Sequence, residues 1–379
     1  MIFFDNAATT FIKPSEVYRV LYENMVKYGA NAGRGGHRLS VRASEIINET
    51  REQLCDFFGI ENMERLAFFQ NATYALNVGI KGVLERGDHV VTTSMEHNAV
   101  MRPLAELKRN GVIEFTTVKA NEKGEISLED IQNAVRYKTK LIVMTHASNV
   151  CGNIYDIQPV YDFAKSKGIL FMADCAQTAG VEDINSSMAD MFAFSGHKGL
   201  FGSQGTGGLY IREGLSVKTL VEGGTGSNSE SFYHPDIMPD KFECGTQNMP
   251  AISTIGAGLR FIKKIGIKEI REYEQYLADY FVREVKNISG VTVYGTDDYK
   301  KRTGTVSITV EGRDLNVFST RLSDEFGIAV RSGFHCAPAA HRTLGTQDSG
   351  TIRFSFGYFN KKYEIDKALQ ALNLILKSF

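Results

Sequence analysis

The sequence predicts an α/β fold: a mainly parallel sheet wrapped by helices, with a smaller α/β unit after it. Short apolar runs rich in β-branched and aromatic residues alternate with amphipathic helical stretches, the pattern of a parallel sheet. At 379 residues the chain exceeds the length at which a single core stops growing. Its texture also changes after about residue 250, from alternating elements to one long helical region.

In chain order, residues 41–58 carry apolar positions at helical spacing, and residues 74–84 do so again after Gln70-Asn-Ala-Thr73. Residues 89–93, 141–145, 169–173 and 191–194 read as strands, and residues 158–167 as a helix. Beyond Pro250, residues 251–286 read as a continuous helical region. Strands over 291–294, 306–310, 329–331 and 351–355 follow, and a helix ends the chain. The expected division is a large unit over 14–249 and a small one made of 1–13 with 250–379. The seven prolines are too dispersed to mark a flexible linker.

With 43 basic and 44 acidic residues, the charge balance gives no reason to expect nucleic acid or an anionic membrane as partner. A small-molecule substrate fits better. No stretch of about 18 apolar residues occurs, and Met1-Ile-Phe-Phe-Asp-Asn6 lacks the basic and apolar regions of a leader, so a cytoplasmic protein is expected. The five cysteines, Cys55, Cys151, Cys175, Cys244 and Cys336, are odd in number and contain no C-x-x-C pair. At least one is free, as a reducing compartment allows, and no metal site is expected.

In an open sheet, ligands gather at the carboxyl ends of the strands. The run ending at Ala173 delivers Asp174-Cys-Ala-Gln177, and 24 residues after that aspartate the next run delivers Ser195-Gly-His-Lys198. A carboxylate and an amine at one sheet edge are what pyridoxal 5'-phosphate needs: the acid keeps the pyridine nitrogen protonated and the lysine forms the Schiff base. Gln177 is placed to donate to the ring hydroxyl. Asn71, Ala72 and Thr73 open a helix whose backbone N–H groups suit a phosphate, as do Ser195 and His197 beside the lysine. His97, in Ser94-Met-Glu-His97, offers a flat ring to stack on the cofactor. Asn149 either reaches the ring or substrate or closes an Asx-turn.

The ordered set Asp5-Asn-Ala-Ala-Thr-Thr10, Asn31-Ala-Gly-Arg-Gly-Gly-His37, Asp174 to Gln177, Ser195 to Lys198, Phe242-Glu-Cys-Gly-Thr246, Arg331-Ser-Gly-Phe-His-Cys336 and Arg353 resembles the class V aminotransferases of the cysteine desulfurase and selenocysteine lyase group. The resemblance implies the pyridoxal-phosphate-dependent transferase fold, fold type I, with a mainly parallel seven-stranded sheet. It implies that Lys198 is the Schiff-base lysine, Asp174 the pyridinium partner, Gln177 the phenolic-oxygen donor and His97 the stacking ring, with Thr73, Ser195 and His197 on the phosphate. It further implies a homodimer in which Thr246 reaches the phosphate of the neighbouring subunit.

Cys336 follows a short strand in a loop shaped by Gly333 and Pro338, and a neighbouring His⁺ would favour its thiolate. By the resemblance, L-cysteine becomes L-alanine and its sulfur passes to Cys336 as a persulfide for an acceptor protein. Arg353 would clamp the substrate carboxylate with its planar fork, or instead close a surface ion pair. Arg331 and His37 match positions lining the substrate side.

Phe334 stands where many relatives carry histidine, Cys151 and Cys175 replace more usual residues, and the N-terminus is short; His341, six residues after His335 with Cys336 between, permits a Cys/His metal cluster, but the spacing matches no common zinc pattern. Alternative readings are a selenocysteine lyase, another class V enzyme in which Cys336 is not catalytic, and a non-enzymatic sulfur carrier.

Overall fold

A computed structural model describes residues 1–33 and 35–378; Arg34, within the segment Asn31 to His37, lies outside them. Strand β1 (Ile2–Phe3) is followed by α1 (Ser15–Tyr28), α2 (Arg38–Phe58), β2 (Leu66–Phe69), α3 (Ala72–Val83), β3 (Asp88–Thr93), α4 (Asn98–Arg109), β4 (Ile113–Val118) and α5 (Leu128–Ala134). Next come β5 (Thr139–Thr145), α6 (Gln158–Ser166), β6 (Leu170–Asp174), β7 (Met191–Ser195), β8 (Gly207–Ile211), α7 (Met249–Ile265) and α8 (Ile267–Val285). The chain closes with β9 (Val291–Tyr294), β10 (Thr305–Val310), α9 (Leu315–Phe326), β11 (Ile328–Ala329), β12 (Arg331–Gly333), α10 (Pro338–Thr343), β13 (Thr351–Ser355) and α11 (Lys362–Lys377).

Seven strands form the large sheet in the order β2-β8-β7-β6-β5-β3-β4, mainly parallel as expected, with β8 running against both neighbours. The sheet is buried on both faces, which explains its near-continuous apolar runs. Along β2, Leu66 and Phe68 enter one core cluster while Ala67 and Phe69 enter the other. The order brings the carboxyl ends of β7, β6, β5 and β3 side by side. Four sequence-separated loops therefore share one edge.

The C-terminal elements form a four-stranded antiparallel sheet, β12-β13-β10-β9. Its core includes Phe281, Phe354 and Phe356, together with Phe4 from the N-terminus. Two expectations need correction here. The helical region 251–286 is broken at Gly266, whose φ of +98° suits glycine and separates α7 from α8. The strand expected over 329–331 is two strands that change partners: Ile328 and Ala329 pair with β1, whereas Arg331 to Gly333 pair with β13. Local apolar pattern carries no information about which partner a strand meets.

Helix α7 packs against α1 and α2, and it also touches the turn after Lys198. A Cβ on Gly258 would lie 1.9 Å from the Leu200 carbonyl oxygen. Substituting Gly258→Ala must therefore push backbone against backbone. We expect a loss of about 1–3 kcal/mol, read from the midpoint of chemical denaturation. An unchanged midpoint would mean that this approach is not tight.

Candidate active site

One cavity at the strand-end edge is lined by Ala72, Thr73, His97, Asn149, Asp174, Gln177, Ser195 and Lys198. They arrive from five turns: Ser195 ends β7 and Lys198 follows it, Asp174 ends β6 with Gln177 after it, Asn149 follows β5, His97 follows β3, and Ala72 and Thr73 open α3. Asn71 caps α3 by accepting from Tyr74 N–H at 2.9 Å. Ala75 N–H is also committed, to the Asn71 carbonyl. The remaining first-turn N–H groups belong to Ala72 and Thr73, which line the cavity at a helix N-terminus, where an anion is favoured.

Asp174 is buried, and its Oδ1 accepts from Ala176 N–H at 2.9 Å. Burial pushes its carboxyl above the usual range, while the Ala176 N–H and then Lys198 pull it back. Burial lowers the Lys198 amine to about 8, and Asp174 opposes that fall. His97 Nδ1 accepts from Ala99 N–H at 3.0 Å, so the ring carries its proton on Nε2. Burial, with Lys198 next in weight, lowers its pKa to about 4, so the ring is neutral.

The segment Asp5 to Thr10 stitches this site together. Thr10 Oγ1 donates to the Lys198 carbonyl at 2.7 Å, the Ala7 carbonyl accepts from Gln177 Nε2 at 3.1 Å, and Asn6 Nδ2 donates to the Ser355 carbonyl at 2.9 Å. Asp5 accepts from Arg353 Nη2 at 2.6 Å. Arg353 is 1 % exposed, so the surface ion pair considered above gives way to a buried one. Its Nη1 donates to the Asn149 carbonyl at 3.0 Å and its Nε has no partner.

Cys336 is exposed, at the end of a loop docked on the cavity rim. Asn98 N–H donates to the Cys336 carbonyl at 2.7 Å, and Asn149 Nδ2 donates to the His335 carbonyl at 2.6 Å. The expectation that a neighbouring His⁺ favours the thiolate is corrected. His335 is buried, its Nε2 is 2.9 Å from Thr351 Oγ1, and burial with Arg353 nearby keeps the ring neutral. The cation beside the sulfur is Arg331, whose Nη2 lies 3.7 Å from Cys336 Sγ.

The expected site residues His37, Asn71, His197 and Thr246 lie outside the lining of this cavity. His37 caps α2, its Nδ1 accepting from Ser40 N–H at 3.3 Å, and does not line the cavity. His197 and Thr246 line a separate cleft of about 730 Å³ that also includes Asn71. His197 Nδ1 is 3.0 Å from Thr9 Oγ1. Within the Phe242 to Thr246 segment, Glu243 makes a buried bidentate pair with Arg51, at 2.7 and 2.9 Å, and fixes that stretch against β2.

Sequence reasoning missed Glu96. Its carboxyl is fully buried and pushed up to about 8 by that burial. Its Oε1 accepts from Thr93 Oγ1 at 2.5 Å and from Thr145 N–H at 3.0 Å, tying the ends of β3 and β5. Its position next to His97 was the available signal.

The family described as Aminotransferase class-V matches residues 2–368. The chain belongs to that family. A probable cysteine desulfurase of Methanothermobacter thermautotrophicus is 33% identical over 368 residues, 95% of this chain and 91% of that one. One of Pyrococcus abyssi is 33% identical over 387 residues, 100% of this chain and 95% of its own. The apo structure of a cysteine desulfurase from Thermococcus onnurineus NA1 superposes with a TM-score of 0.93 at 33% identity, covering 100% of this chain and 95% of that one.

The lowered amine at Lys198 gives a direct check. Only the unprotonated amine reacts with an aldehyde or an acylating reagent, so its labelling rate in cofactor-free protein should rise with pH through a midpoint near 8. A midpoint near the ordinary lysine value of 10.5 would mean that the site is wetter than described.

Proposed function

We propose that the chain is a pyridoxal-phosphate-dependent cysteine desulfurase that releases L-alanine and retains the substrate sulfur on Cys336 as a persulfide. The observation that carries this reading is the docking of an exposed thiol, beside the Arg331 guanidinium, onto two asparagines at the mouth of the lysine cavity. The name shared by the relatives supports it.

The residues present fit the cofactor. The N–H groups of Ala72 and Thr73, with the Thr73 and Ser195 hydroxyls, suit the phosphate. The buried Asp174 carboxylate lacks a cation hydrogen-bonded to it and suits a protonated ring nitrogen. His97 would offer its ring face, and Gln177, whose Nε2 donates to the Ala7 carbonyl, would supply the donor for the ring hydroxyl. Bound there, pyridoxal phosphate supplies an electron sink for the amino acid's Cα–H bond.

The chain's own groups do the rest. Arg353 keeps Nε and further N–H capacity for the substrate carboxylate, and Asp5 and Asn149 fix its plane. Lys198 Nζ, held by burial at about 8 and so more readily neutral than an ordinary lysine, accepts the α-proton in its unprotonated form. Arg331 holds positive charge beside the attacking sulfur, its Nη2 3.7 Å from Cys336 Sγ. The thiolate attacks the substrate sulfur: an S–S bond forms, the Cβ–S bond breaks, its electron pair goes to Cβ, and protonation at Cβ together with return of the α-proton from Lys198 to Cα gives alanine.

Thr246 lies outside its own chain's lysine cavity, and we assign it to the phosphate of a second copy in a homodimer. The acceptor is a protein that reaches the exposed Cys336. All five cysteines are free, which suits a cytoplasmic enzyme, and no described helix is long and apolar enough to cross a membrane.

The test is L-cysteine turnover by the protein loaded with pyridoxal phosphate, with alanine and keto acid both quantified and intact mass used to find one added sulfur on Cys336. We expect alanine, and a loss of at least about 100-fold, or roughly 2.7 kcal/mol, in Cys336→Ala. Keto acid in place of alanine, or full alanine production by the variant, would refute the persulfide role.

A further inference from the structure

The loop that carries Cys336 is short and strained. Between β12 and α10, His335 and Cys336 adopt φ of +47° and +58°, the left-handed region where an L side chain crowds its own backbone. Such a conformation persists only when the surroundings over-determine it. On the cavity side, Asn149 and Asn98 hold the two successive carbonyls.

His341 occupies the other side. It sits on α10 and is fully buried. Its ring meets Phe334 edge-on at 5.4 Å and lies tilted against His335 at 5.6 Å, so one imidazole touches both residues that precede Cys336. Thr346 fixes that ring, its Oγ1 standing 2.8 Å from His341 Nδ1.

The proton pattern behind the loop can be followed outward. Ser307 Oγ donates to the Val150 carbonyl at 2.6 Å, so it accepts from the Thr351 hydroxyl at 3.1 Å. Thr351 Oγ1 must then accept from His335 Nε2–H. His335 Nδ1 is left as a bare acceptor without a partner among the described residues, while the His341 ring has Thr346 on Nδ1 and the Phe334 backbone as a further polar neighbour. Native proteins seldom bury ring nitrogens unpaired, and an aliphatic residue would fill this space without that cost.

We propose that His341 is a positioning residue for sulfur transfer, holding Cys336 in its left-handed conformation through Phe334 and His335 so that Sγ stays beside Arg331. This rests on reading Cys336 as the nucleophile. Neither His341 nor Thr346 lines the lysine cavity.

The test compares wild type, His341→Leu, His341→Asn and Cys336→Ala as holoenzymes. Three readouts are taken: the cofactor absorbance with the KM for cysteine, alkylation of Cys336 by iodoacetamide across pH, and alanine formed in a single turnover. In His341→Leu we expect unchanged absorbance and KM, alkylation displaced to higher pH, and single-turnover alanine formation slowed by about tenfold or more. His341→Asn, which keeps a polar group at the Nδ1 position, should recover part of both.

Thr346→Val frees His341 without changing core volume and carries the test if His341→Leu does not fold. A wild-type alkylation profile and single-turnover rate in the folded variant would overturn the positioning role. If instead Cys336→Ala forms alanine as fast as wild type, the reading of Cys336 as the nucleophile has failed and the proposal falls with it.

Discussion

Two opposite charges buried at the ends of adjacent parallel strands set the terms for the rest of this molecule. Asp174 and Lys198 are both withdrawn from water, which raises the carboxyl and lowers the amine, and each partly offsets the shift of the other. Neither position is tolerable alone. The surrounding structure fixes the arrangement: β6 and β7 pair in register, Thr10 holds the Lys198 carbonyl, and two glycines let backbone approach backbone around the lysine turn. A Cβ on Gly180 would come within 2.4 Å of the Gly199 carbonyl group, and one on Gly258 within 1.9 Å of the Leu200 oxygen.

Much of this was legible in the sequence because strand ends and apolar runs are local features. The strands that end at Thr93, Thr145, Asp174 and Ser195 were each visible as apolar runs, and the residues after them do meet in one cavity. The break at Gly266 and the change of partner at Val330 were not legible, since a lone glycine in a helical pattern is ambiguous and strand pairing is decided at long range. Partners remote in sequence were also out of view. Arg353 is paired with Asp5, 348 positions away, and Glu243 with Arg51, 192 positions away. Chemical type was readable; protonation state was not. His335 looked like a source of positive charge beside Cys336, yet its burial, with Arg353 nearby, makes it neutral.

That neutrality gives the two halves of the site different electrostatic roles. Near the lysine, one carboxylate balances one amine. Near the thiol, Arg331 and Arg353 supply permanent charge while His97, His335 and His341 stay uncharged, each with pKa lowered chiefly by burial. Guanidinium groups keep their charge across the working pH range. The thiol environment is consequently less sensitive to pH than one built on imidazolium. The N-terminal segment Asp5 to Thr10 joins the halves, since it touches Arg353 at one end and the Lys198 turn at the other.

The central claim is that residue 198 carries the reactive amine of a pyridoxal-phosphate site whose acid partner is Asp174. The most direct measurement is borohydride reduction of the protein with excess pyridoxal phosphate, followed by peptide mass mapping. The account predicts a phosphopyridoxyl mass on the peptide containing Lys198, abolished in Lys198→Ala. A colourless protein with no adduct on that peptide, or an adduct confined to other lysines, would contradict it.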